Sequence, residues 1–122
     1  MKYALIGCGR IATNHMKAAI NNNLEIAAVC DVLPEKMEEL LAKHELQNDY
    51  TIKRYEDYKK MIEEVKPQLV SISTESGIHA EIALYCIEKG VNLIIEKPMA
   101  MSIEDADKII KLSEEKGVKV SA

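Results

Sequence analysis

Short apolar runs alternate along the chain of 122 residues with segments in which apolar residues recur every three or four positions. A short apolar run predicts a buried strand, and the longer spacing predicts one face of a helix. The runs predict six strands, at Tyr3–Ile6, Leu24–Cys30, Thr51–Tyr55, Leu69–Ser73, Val91–Ile95 and Val118–Ser121. Because strands and helices alternate, the pattern predicts an α/β fold, a doubly wound parallel six-stranded sheet of order 3-2-1-4-5-6 with helices on both faces.

Helix boundaries and buried faces follow from the same spacing. Pro34 predicts a helix start, Pro67 follows a helix end, Gly90 and Gly117 predict C-terminal caps, and Ser102 with Asp105 predicts a capping box. The residues predicted to share one face of each helix are Ile11, His15, Ala18, Ala19, Asn22; Met37, Leu40, Leu41, His44; Tyr58, Met61, Ile62, Val65; Ile78, Ile82, Ala83, Cys86, Ile87; and Ile103, Ala106, Ile109, Ile110, Ser113. The fourth of these sets is predicted to face inward.

The turn Gly7–Ala12 follows the first predicted strand and opens the first helix. Such a turn directs unpaired N–H groups and the positive end of the helix dipole at one point, which suits a phosphate. Gly7 allows a tight turn, Gly9 leaves the backbone open to a pyrophosphate, and Ala12 is small enough for the helix to pack closely. Asp31 ends the next strand 24 residues after Gly7, where a carboxylate would accept hydrogen bonds from ribose hydroxyls. These features favour dinucleotide binding over a plain packing turn.

Ligands of such sheets lie at the carboxyl ends of the strands, near the switch point between the first and fourth. The residues predicted to contact the cofactor are Gly7, Gly9, Arg10, Ile11, Asp31, Ser73, Thr74, His79, Glu96 and Lys97. Three alternatives stay open at this point. Arg10 can instead be solvated, His79 can instead fix its loop, and Glu96-Lys97-Pro98 can instead be a surface ion pair with a turn proline.

Asp31 also bears on the choice of cofactor. Its carboxylate would repel a 2′-phosphate, and Val32 and Leu33 supply no arginine to offset that charge. The sequence therefore favours NAD over NADP.

Charge and cysteine content exclude several classes of function. The net charge of −4, without a lysine or arginine cluster, argues against nucleic acid and anionic membrane partners. Cys8, Cys30 and Cys86 are odd in number and lack Cys-x-x-Cys spacing, so we expect buried, reduced thiols with no disulfide framework and no metal site. We also expect a single domain over residues 1–122 in a cytoplasmic protein, since no signal peptide or membrane-spanning run is present.

The motifs Ala4–Ala12, Ala28–Asp31, Ser73-Thr74 with His79, and Glu96-Lys97-Pro98 occur together in this order. In this the chain resembles the amino-terminal Rossmann domain of the Gfo/Idh/MocA oxidoreductases. The resemblance implies that Lys97 is catalytic, reaching toward the nicotinamide and the substrate hydroxyl, and that the bond before Pro98 is often cis. Glu75 departs from the family pattern, in which a Thr-Pro-Asn run precedes the histidine.

The resemblance further implies a second domain that supplies a catalytic histidine, most of the substrate pocket and a homo-oligomer interface. We therefore expect residues 1–122 to be the cofactor domain of an NAD-dependent dehydrogenase acting on a sugar, nucleotide-sugar or cyclitol hydroxyl. We expect the isolated chain to bind NAD without turnover. Two alternatives are a stand-alone dinucleotide-sensing module and an S-adenosylmethionine-binding fold.

Overall fold

A computed structural model of the chain describes residues 1–74, 76–96 and 102–121. Its strands are β1 (Lys2–Ile6), β2 (Glu25–Cys30), β3 (Lys53–Tyr55), β4 (Leu69–Ile72), β5 (Asn92–Ile95) and β6 (Val120–Ser121). Its helices are α1 (Ala12–Asn21), α2 (Pro34–Lys43), α3 (Tyr58–Val65), α4 (His79–Glu88) and α5 (Ile103–Lys116), and a 3-10 turn spans Ser76–Ile78. All strand pairs are parallel and the order is β3-β2-β1-β4-β5-β6, which confirms the predicted fold.

The central strand β1 is buried on both faces, as its continuous apolar run predicts. Tyr3 and Leu5 face a core cluster shared with α1 and α2. Ala4 and Ile6 face a second cluster shared with α3, α4 and α5. Alternate residues of one strand therefore anchor the two helical layers, because successive side chains point to opposite faces of a sheet.

Predicted helix ends are confirmed where a polar or glycine cap marks them. The hydroxyl of Ser102 accepts a hydrogen bond from the N–H of Asp105 (3.1 Å) at the start of α5. Gly90 and Gly117 have φ of +77° and +67° after α4 and α5, the left-handed conformation expected after a helix end.

The buried faces of α1 and α5 differ from the sets of residues that the spacing groups together. In α1 the buried residues are Ala12, Met16 and Ala19, whereas Ile11, Ala18 and Asn22 of the predicted set are exposed. The helix packs on the sheet through Ala12, which rotates Ala18 outward. In α5 only Ile109 is fully buried, while Ile103 is 83% exposed, because α5 covers the end of the sheet and packs mainly against α4.

Candidate functional site

Gly7 occupies a position in the turn after β1 that only glycine fits. Its φ is +92°, and a Cβ atom there would lie 2.7 Å from the N atom of Thr74 and 2.8 Å from the carbonyl carbon of Ser73. The N–H of Gly7 donates to the carbonyl of Cys30 (2.8 Å), and the hydroxyl of Ser73 donates to the carbonyl of Gly7 (2.6 Å). The turn is thus fixed between the ends of β2 and β4.

The start of α1 presents free N–H groups to solvent. The N–H groups of Gly9, Arg10 and Ile11 form no hydrogen bond within the described residues, and no acidic side chain lies in the first turn. A Cβ atom on Gly9 would meet nothing within 4 Å. By contrast, Asp57 and Ser102 cap the starts of α3 and α5, and the first turns of α2 and α4 each carry an acidic residue. The uncapped start of α1 is therefore the place where an anion would be stabilised.

Asp31 is fixed by the main chain at the end of β2. The N–H of Cys8 donates to its Oδ2 atom (2.8 Å), and the N–H of Leu33 donates to its Oδ1 atom (2.9 Å). The N–H of Asp31 itself donates to the carbonyl of Tyr55 on β3 (3.0 Å). A carboxylate offers about four acceptor positions, so about two remain free for a ligand.

A cleft of about 560 Å³ opens between the glycine turn and the ends of β2, β3 and β4. The predicted site residues that line it are Gly7, Gly9, Asp31, Ser73 and Thr74. Leu33 and Ile78 also line the cleft, and about half of each residue is exposed. The cleft therefore combines a carboxylate that can accept from hydroxyls with apolar walls that can hold a flat ring.

Apart from His79, the predicted site residues that are not among those lining the cleft are Arg10, Ile11, Glu96 and Lys97. Arg10 and Ile11 lie at the start of α1 with exposed side chains. Glu96 lies at the end of β5, and its carboxylate accepts a hydrogen bond from His15 (2.5 Å). Lys97 lies outside the described residues.

His79 is buried and fixes the loop after β4 from the protein interior. Its side chain is 1% exposed and does not line the cleft, and its Nε2 atom donates to the carbonyl of Thr74 (2.6 Å). The hydroxyl of Thr74 is buried and makes no hydrogen bond within the described residues. Glu75 and Pro98 lie outside those residues. His79 thus positions Thr74, whose hydroxyl remains available to a polar group.

Cys8 lies within the glycine turn and is buried. Burial, and then the negative charge of Asp31, raise the pKa of its thiol, so it is no nucleophile at neutral pH. Within residues 1–74, 76–96 and 102–121, no three His, Cys, Asp or Glu side chains group in a way that would hold a metal ion. Over the same residues, no helix is both long and apolar enough to cross a membrane.

Comparison with known proteins places this geometry in a family. The family model that describes the NAD-binding Rossmann fold of the Gfo/Idh/MocA oxidoreductase family matches residues 1–122. The chain belongs to the Gfo/Idh/MocA oxidoreductases. The family assignment inferred from the glycine turn and Glu96-Lys97-Pro98 is thereby confirmed.

Three relatives show how much of such proteins the chain spans. Inositol 2-dehydrogenase of Salmonella typhimurium is 25% identical over 119 residues, which are 96% of this chain and 34% of the relative. A glycosyl hydrolase family 109 protein of Porphyromonas gingivalis is 40% identical over 94 residues, 74% of this chain and 20% of the relative. The structure of the WlbA dehydrogenase of Bordetella pertussis, in complex with NADH and UDP-GlcNAcA, superimposes with a TM-score of 0.83 at 28% identity, over 97% of this chain and 36% of that one. The chain spans about a third or less of each.

The chemical parts of NAD match what the Gfo/Idh/MocA fold presents here. The free N–H groups at Gly9–Ile11 suit a pyrophosphate, and the remaining acceptor positions of Asp31 suit ribose hydroxyls. Leu33 and Ile78 offer apolar surface to an adenine ring. The residues present therefore fit the cofactor that the family model describes.

Four polar residues of the cleft wall were not predicted from the sequence: Lys36, Glu56, Tyr58 and Glu81. The strand-end rule could have found Glu56, which directly follows β3. The hydroxyl of Tyr58 donates to Glu81 (3.2 Å), and burial, followed by the charge of Glu81, raises the pKa of Tyr58. No sequence signal joins these two residues, because they lie on different helices, 23 positions apart.

Proposed function

We propose that this chain is the NAD-binding domain of a dehydrogenase that oxidises a hydroxyl group of a sugar, nucleotide sugar or cyclitol. The carrying observation is the pairing of the uncapped start of α1 with the main-chain-held carboxylate of Asp31, since together they match a pyrophosphate and its adjoining ribose. The named activities of the Salmonella and Bordetella relatives support the substrate class.

In this proposal the chain's own groups bind and orient the dinucleotide. The N–H groups of Gly9–Ile11 bind the pyrophosphate, and Asp31 accepts from the adenosine ribose. Bound NAD supplies the hydride acceptor. Lys97, by resemblance to the family, stabilises the alkoxide that develops while the substrate hydroxyl gives its proton to a histidine from the rest of the protein.

We further propose that NAD is preferred over NADP. Asp31, Glu56 and Glu81 place three carboxylates around the cleft, against a single ammonium group from Lys36 among the described lining residues. The Nζ atom of Lys36 also lies 3.9 Å from the Oε2 atom of Glu39, and this carboxylate partly offsets the positive charge of Lys36. A 2′-phosphate in this cleft would meet net repulsion.

The test is calorimetric titration of the purified chain with NAD+, NADP+ and S-adenosylmethionine. We expect NAD+ to bind, NADP+ to bind about tenfold or more weakly, and S-adenosylmethionine not to bind. Asp31→Ala should weaken NAD+ most, because the ribose acceptor is lost. Glu56→Gln, at a side chain with no hydrogen bond within the described residues, should narrow the gap between NAD+ and NADP+.

Glu115→Gln on the exposed side of α5 is the matched control, since it removes the same charge away from the cleft. If Glu115→Gln reduces the difference in affinity between NAD+ and NADP+ as much as Glu56→Gln does, the net charge of the chain, and not the charge in the cleft, sets the preference for NAD+. Absence of NAD+ binding by the wild-type chain would refute the proposal as a whole.

We propose that the isolated chain turns over no substrate, because the general base is expected from the rest of the protein. Incubation of the chain with NAD+ and myo-inositol should yield no NADH absorbance, and measurable turnover would contradict this. The three free, buried cysteines support a reducing, cytoplasmic location for the whole protein.

A second candidate reaction is cleavage of a glycosidic bond by the whole protein. It is favoured by the 40% identity to the glycosyl hydrolase family 109 protein of Porphyromonas gingivalis. An assay of the longer protein that carries this domain separates the two reactions. Accumulation of NADH supports the dehydrogenase, whereas release of nitrophenol from a nitrophenyl glycoside without net NADH supports the hydrolase.

A further inference from the structure

His15 makes a contact that neither the glycine turn nor the cleft explains. Its Nε2 atom donates to the Oε2 atom of Glu96 over 2.5 Å, although the two residues are 81 positions apart. The side chain of His15 is 13% exposed and that of Glu96 is 36% exposed. A partly buried hydrogen bond to a carboxylate over this distance fixes the two side chains relative to each other.

His15 lies close to the open start of α1. It follows Ile11 by four positions, and residues at this spacing lie on the same face of a helix. The pair therefore connects the helix that begins at the glycine turn with the end of β5.

The main chain of Glu96 is held as well. Its N–H donates to the carbonyl of Ile72 at the end of β4 (2.9 Å). Its second carboxylate oxygen, Oε1, accepts no hydrogen bond from the described residues. With its backbone bonded to β4 and one oxygen bonded to His15, Glu96 keeps its other oxygen without a donor among the described residues.

Glu96 lies on the opposite side of the glycine turn from Asp31. Asp31 follows β2, which neighbours β1 on one side, whereas Glu96 follows β5, two strands away from β1 in the other direction. A dinucleotide whose pyrophosphate sits at Gly9–Ile11 and whose adenosine enters the cleft must place its second nucleoside over β4 and β5.

We propose that His15 is a positioning residue that holds the carboxylate of Glu96 so that its free oxygen accepts a hydrogen bond from the second nucleoside. The donor is a ribose hydroxyl or the carboxamide N–H of that nucleoside. The inference rests on the proposed function, since it requires a dinucleotide at the glycine turn. It assigns to the cofactor site a residue that the sequence pattern placed only on one face of the first helix.

The experiment compares ADP with NAD+, because ADP carries the adenosine and pyrophosphate without the second nucleoside. Calorimetry on the purified chain should show that His15→Ala weakens NAD+ about tenfold and leaves ADP within about twofold of wild type. His15→Gln should keep part of the NAD+ affinity, since its amide can still donate to Glu96. His44→Gln, at the end of α2 with no hydrogen bond to its ring nitrogen Nε2, is the matched control and should change neither affinity.

A double-variant cycle with Glu96 tests whether His15 affects NAD+ affinity through Glu96. If His15 acts through Glu96, the double variant His15→Ala/Glu96→Ala should bind NAD+ as weakly as Glu96→Ala alone. Additive losses, or equal losses for ADP and NAD+ in His15→Ala, would show a general structural brace and overturn the inference. Wild-type chain that binds neither ligand would overturn the proposed function and this inference with it, whereas wild-type binding of both with no effect of His15→Ala overturns this inference alone.

Discussion

Two glycines of the same turn meet opposite surroundings. The α-carbon of Gly7 faces the backbone of Ser73 and Thr74 at a distance that no side chain can share, and its φ of +92° is strained for any other residue. Gly9 has ordinary φ, and the space beside it is open. The first glycine is thus required by the fold and the second by what binds next to it.

Gly7→Ala and Gly9→Ala should therefore have different effects. Gly7→Ala should lower the free energy of unfolding by about 2 kcal/mol or more, through positive φ and the clash with the loop after β4. Gly9→Ala should change it by less than about 0.5 kcal/mol, yet weaken NAD+ about tenfold or more by filling the space beside the pyrophosphate. Urea unfolding and calorimetry measure the two effects, and equal destabilisation by both variants would contradict this division.

At the residue scale, sequence reasoning identified the groups whose chemistry depends on local spacing. Gly7, Gly9 and Asp31 were predictable because a turn and a strand end determine where they lie. The bond from Cys8 to Asp31 and the bond from His15 to Glu96 were not, because they depend on how separate elements pack.

Helix α1 has neither a side-chain cap nor an acidic residue at its start, whereas α2 and α4, which also lack a side-chain cap, carry an acidic residue in the first turn. Asp57 accepts from the N–H of Lys59 (2.9 Å) and Ser102 from the N–H of Asp105 (3.1 Å), whereas Ile11 at the start of α1 offers no polar side chain. A side-chain cap contributes about 1 kcal/mol to helix stability. The ligand-free chain lacks that stabilisation at the start of α1, where we propose that the pyrophosphate binds.

Ile11→Asp should restore part of this stability at the expense of binding. A negative charge at the positive end of α1 should raise the free energy of unfolding of the ligand-free chain by about 0.3–1 kcal/mol. The same charge should weaken NAD+ about tenfold or more by repelling the pyrophosphate. Ile11→Asn introduces a side chain of the same shape as Asp but without its charge, so it should lose less NAD+ affinity in calorimetry. An equal loss of affinity in the two variants would show that the change of side-chain shape, and not the charge, weakens binding.

The helix faces were predictable only where the helix packs against the interior of the sheet. In α2, α3 and α4 the expected apolar positions are buried apart from residues that border the cleft, such as Tyr58 and Ile78. In α5 the expected stripe is wider than the surface available, so Ile103 and Ile110 stay exposed. Hydrophobic spacing reports the periodicity of a helix, but the width of its contact depends on the neighbouring elements.

For the molecule as a whole, strand order followed from alternation and from the right-handed crossover rule, and the structure confirms it. The core of the sheet also encloses thiol and phenol groups. Burial raises the pKa of Cys30 and of Cys86 to about 12, and raises that of Tyr3 to about 12 as well. Each of these groups must stay protonated while the chain is folded.

Alkaline pH should therefore destabilise the folded protein. The thiol of Cys86 ionises near pH 9.0 in the unfolded chain but near pH 12 in the folded chain, so its contribution to stability is full below pH 9 and is lost as pH rises toward 12. Cys86→Ala should make the fall in stability over that range shallower, by up to about 1.4 kcal/mol per pH unit. Urea unfolding at a series of pH values measures the slope. Ile87→Val, a non-ionising change on the same helix, should leave the slope as in wild type, and a matching change there would refute the role of the thiol.

The bond between Gly7 and Ser73 also has a consequence for biosynthesis. These residues are 66 positions apart, and β1 has no partner on its β4 side until that segment has been made. At about 5–20 residues per second, the ribosome leaves the glycine turn incomplete for roughly 3–13 s. During that interval one edge of the apolar strand β1 stays unpaired, so the nucleotide-binding turn is completed only after the loop that follows β4 has been made.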